Sequence, residues 1–212
     1  MTLRSTWIAA SLLSLGLASA LSVGCGSSIG QPDTVSRAEF ERIFPGHNAF
    51  YNYDGFAAHT HFDSRQDAAQ FLANVAHETA GLTRVEEEVG RRSVYCDESM
   101  AYGCPAGKNS YFGRGPMQLS WNYNYEAAGE ALGLDLLHDP GRVARDPDVA
   151  WQTAAWYWDN RVPRGDFGDT IRAINGAQEC NGRSPDQVQS RVNQYRRITN
   201  LLGVGPGDNL SC

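Results

Sequence analysis

Helix start and stop signals constrain this chain more than any other feature. Ser64 or Asp63 can cap a segment whose apolar positions Ala68, Phe71, Leu72, Val75 and Ala76 recur at i, i+3 and i+4 spacing. Gly81 stands where that segment must end in a left-handed conformation. Residues 123–132 form a second, shorter helix closed by Gly133. Asp146-Pro147 joins an N-cap to a proline at the first helical position and opens a helix through Trp158, loaded with Trp151, Trp156, Tyr157 and Trp158. A short helix is expected over 168–174, ending at Asn175-Gly176. Ser184-Pro185-Asp186-Gln187 reads as a capping box ahead of a helix with the stripe Val188, Val192, Tyr195 and Leu202 and a stop at Gly203. Runs of β-branched residues are few, so strands are expected only as a small hairpin between Glu86 and Tyr111. The fold class predicted is mainly α, with a minor β part (α+β).

With 212 residues, 42% of them hydrophobic, the chain can build one domain around a real core. A net charge of −6 argues against a nucleic-acid partner, whose binders carry a basic face. Residues 1–24 read as an export signal: Arg4 gives a positive start, Trp7 to Val23 an apolar stretch ending in small residues. Two processing sites compete there. Ala18-Ser19-Ala20 is a cleavage pattern with the cut after Ala20, whereas Leu21-Ser22-Val23-Gly24-Cys25 resembles a bacterial lipoprotein box, with Ser22 where the box usually has leucine. Residues 25–36 are expected to form a short linker, and 37–212 a single domain.

Of the five cysteines, Cys96, Cys104, Cys180 and Cys212 can pair in an oxidising compartment, which leaves Cys25 over and favours a lipid-bearing Cys25. Sequential pairing, Cys96 with Cys104 and Cys180 with Cys212, is the most economical of three possible patterns. The second bridge closes a loop worth roughly 3–4 kcal/mol in the chain-entropy model. The expected location is outside the cytoplasm of a bacterium, secreted or held on the outer membrane as a lipoprotein. Any membrane contact is through that anchor alone, and the protein is expected to be a monomer.

Two stretches carry the chemistry. His77-Glu78-Thr79-Ala80-Gly81 places Glu78 in the last turn of a helix, beside its apolar stripe. Shelter and the negative end of the helix dipole should both raise its pKa, which suits a general acid. A zincin-type metal site would need a second histidine at position 81, where Gly stands. His59 and His61 find no third ligand, so no metal is expected. Glu86, Glu87 and Glu88 follow. In one continuous helix Glu78 and Glu87 would face apart, since nine steps of about 100° end on the opposite side. A chain reversal at Gly81 lets one of the three glutamates face Glu78 across a cleft. A separation of roughly 6.5–9.5 Å would leave room for water and give inversion at a sugar carbon.

The second stretch, Tyr111 to Tyr125, combines Gly113 and Gly115 with Gln118, Ser120, Asn122 and Asn124. These are neutral donors and acceptors suited to hydroxyl and N-acetyl groups. Tyr111, Trp121, Tyr123 and Tyr125 can pack against sugar rings, though half of them are expected to serve only the core. Arg191, three residues after Val188, sits at the edge of a buried stripe and needs a carboxylate partner.

These residues resemble glycoside hydrolase family 19, the chitinases with a lysozyme-like helical fold around a central substrate cleft. The resemblance runs from about Phe40 to Cys212 through His77-Glu78-Thr79, the 111–125 block, Ile174-Asn175-Gly176 and the closing Leu202 to Cys212. Its spacing is similar to that of the compact bacterial branch. The resemblance implies an inverting endochitinase without cofactors, acting on chitin or a related N-acetylglucosamine polysaccharide. It makes Glu78 the general acid and Glu87 the general base, with Ser120 helping to hold the attacking water. It makes Gln118, Tyr123, Asn124 and Asn175 sugar contacts and Arg191 the partner of the catalytic acids, and it agrees with the sequential disulfides. Ala80 replaces the family's usual glycine and is expected to narrow a subsite or tighten the helix end. The length leaves no room for a separate chitin-binding module, which lowers the expectation for insoluble chitin. A cell-wall (peptidoglycan) hydrolase of the same family and a non-catalytic glycan-binding surface protein are the rival readings.

Overall fold

A computed structural model describes residues 34–88 and 94–212. The expected export signal, both processing sites, Cys25 and most of the linker lie outside the described residues. All described residues belong to one compact unit, Pro32–Cys212. Among them are eight helices: α1 (Arg37–Ile43), α2 (Tyr53–His59), α3 (Arg65–Glu78), α4 (Asn122–Leu132), α5 (Arg142–Arg145), α6 (Pro147–Arg161), α7 (Phe167–Glu179) and α8 (Pro185–Leu202).

The first strong helix signal marks the centre of the molecule. Ser64 caps α3, its side chain accepting from the Asp67 amide. Every residue from Asp67 to Ala76 is buried, so α3 is enclosed on all sides and not along a stripe alone. Its polar residues are satisfied inside the core. Asp67 accepts from Trp158 Nε1 at 3.0 Å and Arg164 Nη1 at 2.7 Å. Asn74 donates to Thr170 Oγ1 at 3.0 Å, and Gln70 to the Gly165 carbonyl at 2.9 Å. Helix α8 packs along α3, with α7 beside both.

A second cluster joins α1, α2 and α6 through Phe40, Phe56 and Trp151, with centroid distances of 5.1 to 6.2 Å. Gly55 is required there, because a Cβ would come within 2.9 Å of Trp151 Cδ1. Helices α1 and α2 escape a periodicity search, since seven residues scarcely complete two turns.

Two expectations need correction, and a third is extended. Ser184 does not form the predicted capping box: its side chain makes no cap bond and donates to the Gln178 carbonyl at 3.0 Å. The helix expected over 168–174 breaks at Asn175 (φ −144°, ψ 28°), where its end was expected, and a further turn beyond the break runs on to Glu179. Among the described residues the hairpin is reduced to two isolated antiparallel bridges, Glu86 with Arg114 and Arg114 with Leu119. Side chains take over from a ladder in the loop between. Asn122 accepts from the Asp97 amide and donates to the Asp97 and Gly103 carbonyls, all within 3.0 Å. The disulfide Cys96–Cys104 closes the same loop, and Cys180–Cys212 ties the tail to the end of α7.

Candidate active site

The site begins where α3 stops. The Thr79 and Gly81 amides donate to the Val75 and Ala76 carbonyls, at 3.1 and 2.8 Å. The chain then turns through three consecutive left-handed residues, Ala80 (φ 51°), Gly81 (φ 75°) and Leu82 (φ 61°). Glycine takes this conformation freely, whereas each L-residue is strained by roughly 1–2 kcal/mol. Buried Thr79 holds the reversal: its hydroxyl donates to the Val75 carbonyl at 2.6 Å and accepts from the Leu82 amide at 2.7 Å. Beyond it the chain is pinned on both sides. The Gly115 amide donates to the Val85 carbonyl and the Glu87 amide to the Gly113 carbonyl, each at 2.9 Å.

This return path sorts the three glutamates. Glu86 accepts from Nε of buried Arg114 at 3.0 Å and is part of the packing. Glu88 is exposed at the rim, 3.4 Å from Arg84. Glu87 turns inward: its Oε1 accepts from the Tyr95 hydroxyl at 3.1 Å and its Oε2 from the Gly113 amide at 3.3 Å. Glu87 and Glu78 line the same cleft, of about 490 Å³, together with Gln118, Ser120, Trp121, Asn124, Tyr157, Asn175 and Gln178.

Glu78 is held from behind. The side chain of Arg191 is 1% exposed, and its Nη2 donates to Glu78 Oε1 at 2.5 Å. The same guanidinium donates from Nε and Nη2 to Glu179 at 2.8 and 2.7 Å, and from Nη1 to Asn74 at 3.0 Å. Arg191 is therefore spent mainly on Glu179. Burial pushes the Glu78 carboxyl above the ordinary range, against the pull of Arg191, and the nearby Glu179 and Glu87 charges add to the rise. Glu179 behaves oppositely: burial raises it, but the Arg191 hydrogen bonds outweigh burial and hold it ionised. Two neighbouring carboxylates are thus driven apart in proton affinity, the arrangement that separates an acid from its supporting anion. His77 packs beside them, its Nδ1 3.1 Å from Ser190 Oγ. Burial and then the Arg191 charge push the imidazole down to about 4.

The 111–125 block divides by burial. Ser120 Oγ donates to the Gln118 carbonyl at 2.9 Å, Gln118 Nε2 to the Gly115 carbonyl at 3.0 Å, and Asn124 Nδ2 to the Ser120 carbonyl at 3.0 Å. Gly113 allows this crowding, since a Cβ there would sit 3.0 Å from Gln118 Oε1. Trp121 faces the cleft with Tyr123 stacked on it, ring centroids 5.7 Å apart. Tyr111, Tyr125 and Asn122 belong instead to the core, and Asn122 holds backbone, not ligand. Ala80 does not narrow this cleft: it is exposed on a separate groove with Ile43, His77 and Arg197. Among the described residues no group of three metal-ligating side chains gathers.

Sequence reasoning missed Glu179, Gln178 and Tyr95. Glu179 and Gln178 lie past the expected end of α7, and the i+4 step from Asn175, which donates to Glu179 at 2.8 Å, is the signal that could have found Glu179. Tyr95 offered no signal beyond standing next to Cys96.

The family model described as chitinase class I, glycoside hydrolase family 19, matches residues 39–164 and 159–212. Chitinase 5 of Oryza sativa subsp. japonica is 48% identical over 170 residues, covering 78% of this chain and 59% of that protein. The chain thus spans about three fifths of the curated relative's length. Chitinase C from Streptomyces griseus superposes with a TM-score of 0.79 at 46% identity, covering 86% of this chain and 100% of the other. A bacterial family 19 chitinase superposes at 0.76 with 49% identity, covering 84% of this chain and 100% of that one. The mainly helical architecture agrees with these neighbours.

Proposed function

The chain belongs to glycoside hydrolase family 19, and on that premise we propose that it is an endochitinase that cleaves β-1,4-linked N-acetylglucosamine polymers with inversion. One observation carries the reading: Glu78, whose carboxyl burial pushes above its ordinary range, and a second glutamate, Glu87, line one cleft walled by neutral amides and hydroxyls. In a single displacement, Glu78 gives its proton to the leaving glycosidic oxygen. Glu87 takes a proton from a water that adds to the anomeric carbon, and the Ser120 hydroxyl helps to hold that water. The C–O bond to the leaving sugar breaks as the new one forms, and solvent then returns both carboxyls to their starting states. No cofactor enters. Gln118, Asn124 and Asn175 meet hydroxyl and N-acetyl groups, and Trp121 backed by Tyr123 gives a flat wall for a sugar ring. Arg191 stands behind Glu78 and orients it without reaching the sugar.

Glu78→Gln should lower turnover of chitin oligomers by about 10²–10⁴, the usual worth of one proton-transfer group. Among Glu86→Gln, Glu87→Gln and Glu88→Gln, the middle variant alone should lose comparable activity. Full activity in Glu78→Gln refutes the assignment.

The reading extends to the whole chain as an exported bacterial monomer. Residues 1–24 are the signal, Cys25 the lipid-bearing first residue, and 37–212 the single catalytic domain. Mass spectrometry of the mature N-terminus tests it: acylated Cys25 is expected, and free Leu21 would contradict the anchor.

A further inference from the structure

The Glu87 carboxylate sits on a short extended arm, nine residues past Glu78, with three rotatable side-chain bonds. Nothing in its own backbone dictates where its oxygens point. Among the described residues two donors fix it, and they come from different sides. The Gly113 amide holds Oε2 at 3.3 Å, and the Tyr95 hydroxyl holds Oε1 at 3.1 Å. The tyrosine is itself immobilised. Its ring meets Trp121 edge-on, with centroids 5.6 Å apart and planes at 89°. Its carbonyl accepts from the Asn122 amide at 3.1 Å. The next residue, Cys96, is bonded to Cys104, and buried Asn122 clamps both ends of that loop through Asp97 and Gly103.

We propose that Tyr95 is a positioning residue for the general base, and that the Cys96–Cys104 loop with its Asn122 clamp is the frame that holds it. The inference rests on the reading of Glu87 as that base. A general base acts through one lone pair aimed at the attacking water, so the plane of the carboxylate matters as much as its proton affinity. Pinning Oε1 with Tyr95 and Oε2 with Gly113 fixes that plane and leaves the second lone pair of each oxygen for water. The loop's disulfide and the buried asparagine, otherwise ordinary structural features, then serve the reaction at a distance. Phenylalanine at position 95 would keep the ring packing on Trp121 and lose only the hydroxyl.

The test is a double-mutant cycle on soluble chitin oligomers with Tyr95→Phe, Glu87→Gln and the double variant, with Tm measured for each. A hydrogen bond to a charged group is worth roughly 10- to 100-fold. Tyr95→Phe should therefore lower kcat by about that factor with KM within about twofold. In the Glu87→Gln background the same change should have almost no further effect, because the hydroxyl acts through the carboxylate. Additive losses would overturn the proposal, as would an unchanged kcat. A rise in KM alone would make Tyr95 a sugar contact, and a kcat loss that tracks a large fall in Tm would make it structural. Full activity in Glu87→Gln would overturn the base assignment itself, and Tyr95 with it.

Discussion

Replacing Glu179 by glutamine should shift the pH profile of the enzyme without touching the cleft surface that meets the sugar. Glu78 and Glu179 accept from the same Arg191 nitrogen, at 2.5 and 2.7 Å, which puts two carboxylate oxygens within about 5 Å of each other. Two like charges at that distance repel by about 3 kcal/mol at an effective dielectric of 20, equivalent to a change of roughly two in pKa. Glutamine removes that charge and keeps an oxygen for Arg191, which is then left with Glu78 as its sole anion. Both changes favour the ionised form of Glu78. If Glu78 is the general acid proposed above, it acts in its protonated form, and the basic limb of the kcat/KM profile should move toward acid. With Glu78 19% exposed and solvent screening part of the field, the limb should move by about one to two pH units. At a pH above both limbs the variant should be slower by about tenfold for each pH unit the limb has moved. Well below the new limb it should match the parent within a few-fold. A profile measured on chitin oligomers, with circular dichroism to confirm folding, reads the effect directly. An unmoved basic limb would refute the claim that the Glu179 charge adds to the rise of Glu78.

Ala80 occupies left-handed backbone at φ 51° on the surface, so Ala80→Gly should raise stability by about 0.5–1 kcal/mol, the relieved strain less the added chain entropy. Its activity should be unchanged, and a fall in Tm would contradict the strain argument. His77 is pushed from 6.5 down to about 4 by burial, so the unfolded chain binds the extra proton between those values. Its contribution is complete above pH 6.5 and is lost as pH falls toward 4, by about 1–2 kcal/mol after discounting for partial exposure. Urea titrations of the parent and His77→Gln across that window should show a slope in their difference, and parallel curves would contradict it. At Gly168 a Cβ would come within 2.3 Å of the Ser211 carbonyl oxygen and 2.9 Å of that of Asn209. Gly168→Ala should therefore dislodge the tail and cost roughly 2–3 kcal/mol, whereas an unchanged Tm would show that the tail yields freely.

How much of this was legible in the sequence follows from range. Caps and stops act over four residues, so α3, α4, α6 and α8 were readable from Ser64, Gly133, Asp146-Pro147 and Gly203. The failure at Ser184 has the same root: an N-cap pattern states what a side chain can do, and the Gln178 carbonyl offered it a competing partner. The Asn175-Gly176 signal marked the break in α7, but nothing local announced the further turn that runs on to Glu179. In the site, Gly81 predicted the reversal, but no local rule could choose among Glu86, Glu87 and Glu88. Arg114 took the first and Arg84 the third, and both pairings depend on neighbours fixed by the fold. Arg191 visibly needed a carboxylate. Burial raises Glu78, while Glu179 takes two of the Arg191 hydrogen bonds and is lowered, and both are properties of the folded core.

The central claim is a proposed division of labour between Glu78 and Glu87 in one cleft, with water entering opposite the leaving sugar. The most direct measurement is the proton NMR spectrum of a chitin oligomer within the first turnovers, before the anomers equilibrate. Single displacement predicts that the newly formed reducing end appears as the α-anomer. Initial formation of the β-anomer would mean retention through a double displacement, and would contradict the account.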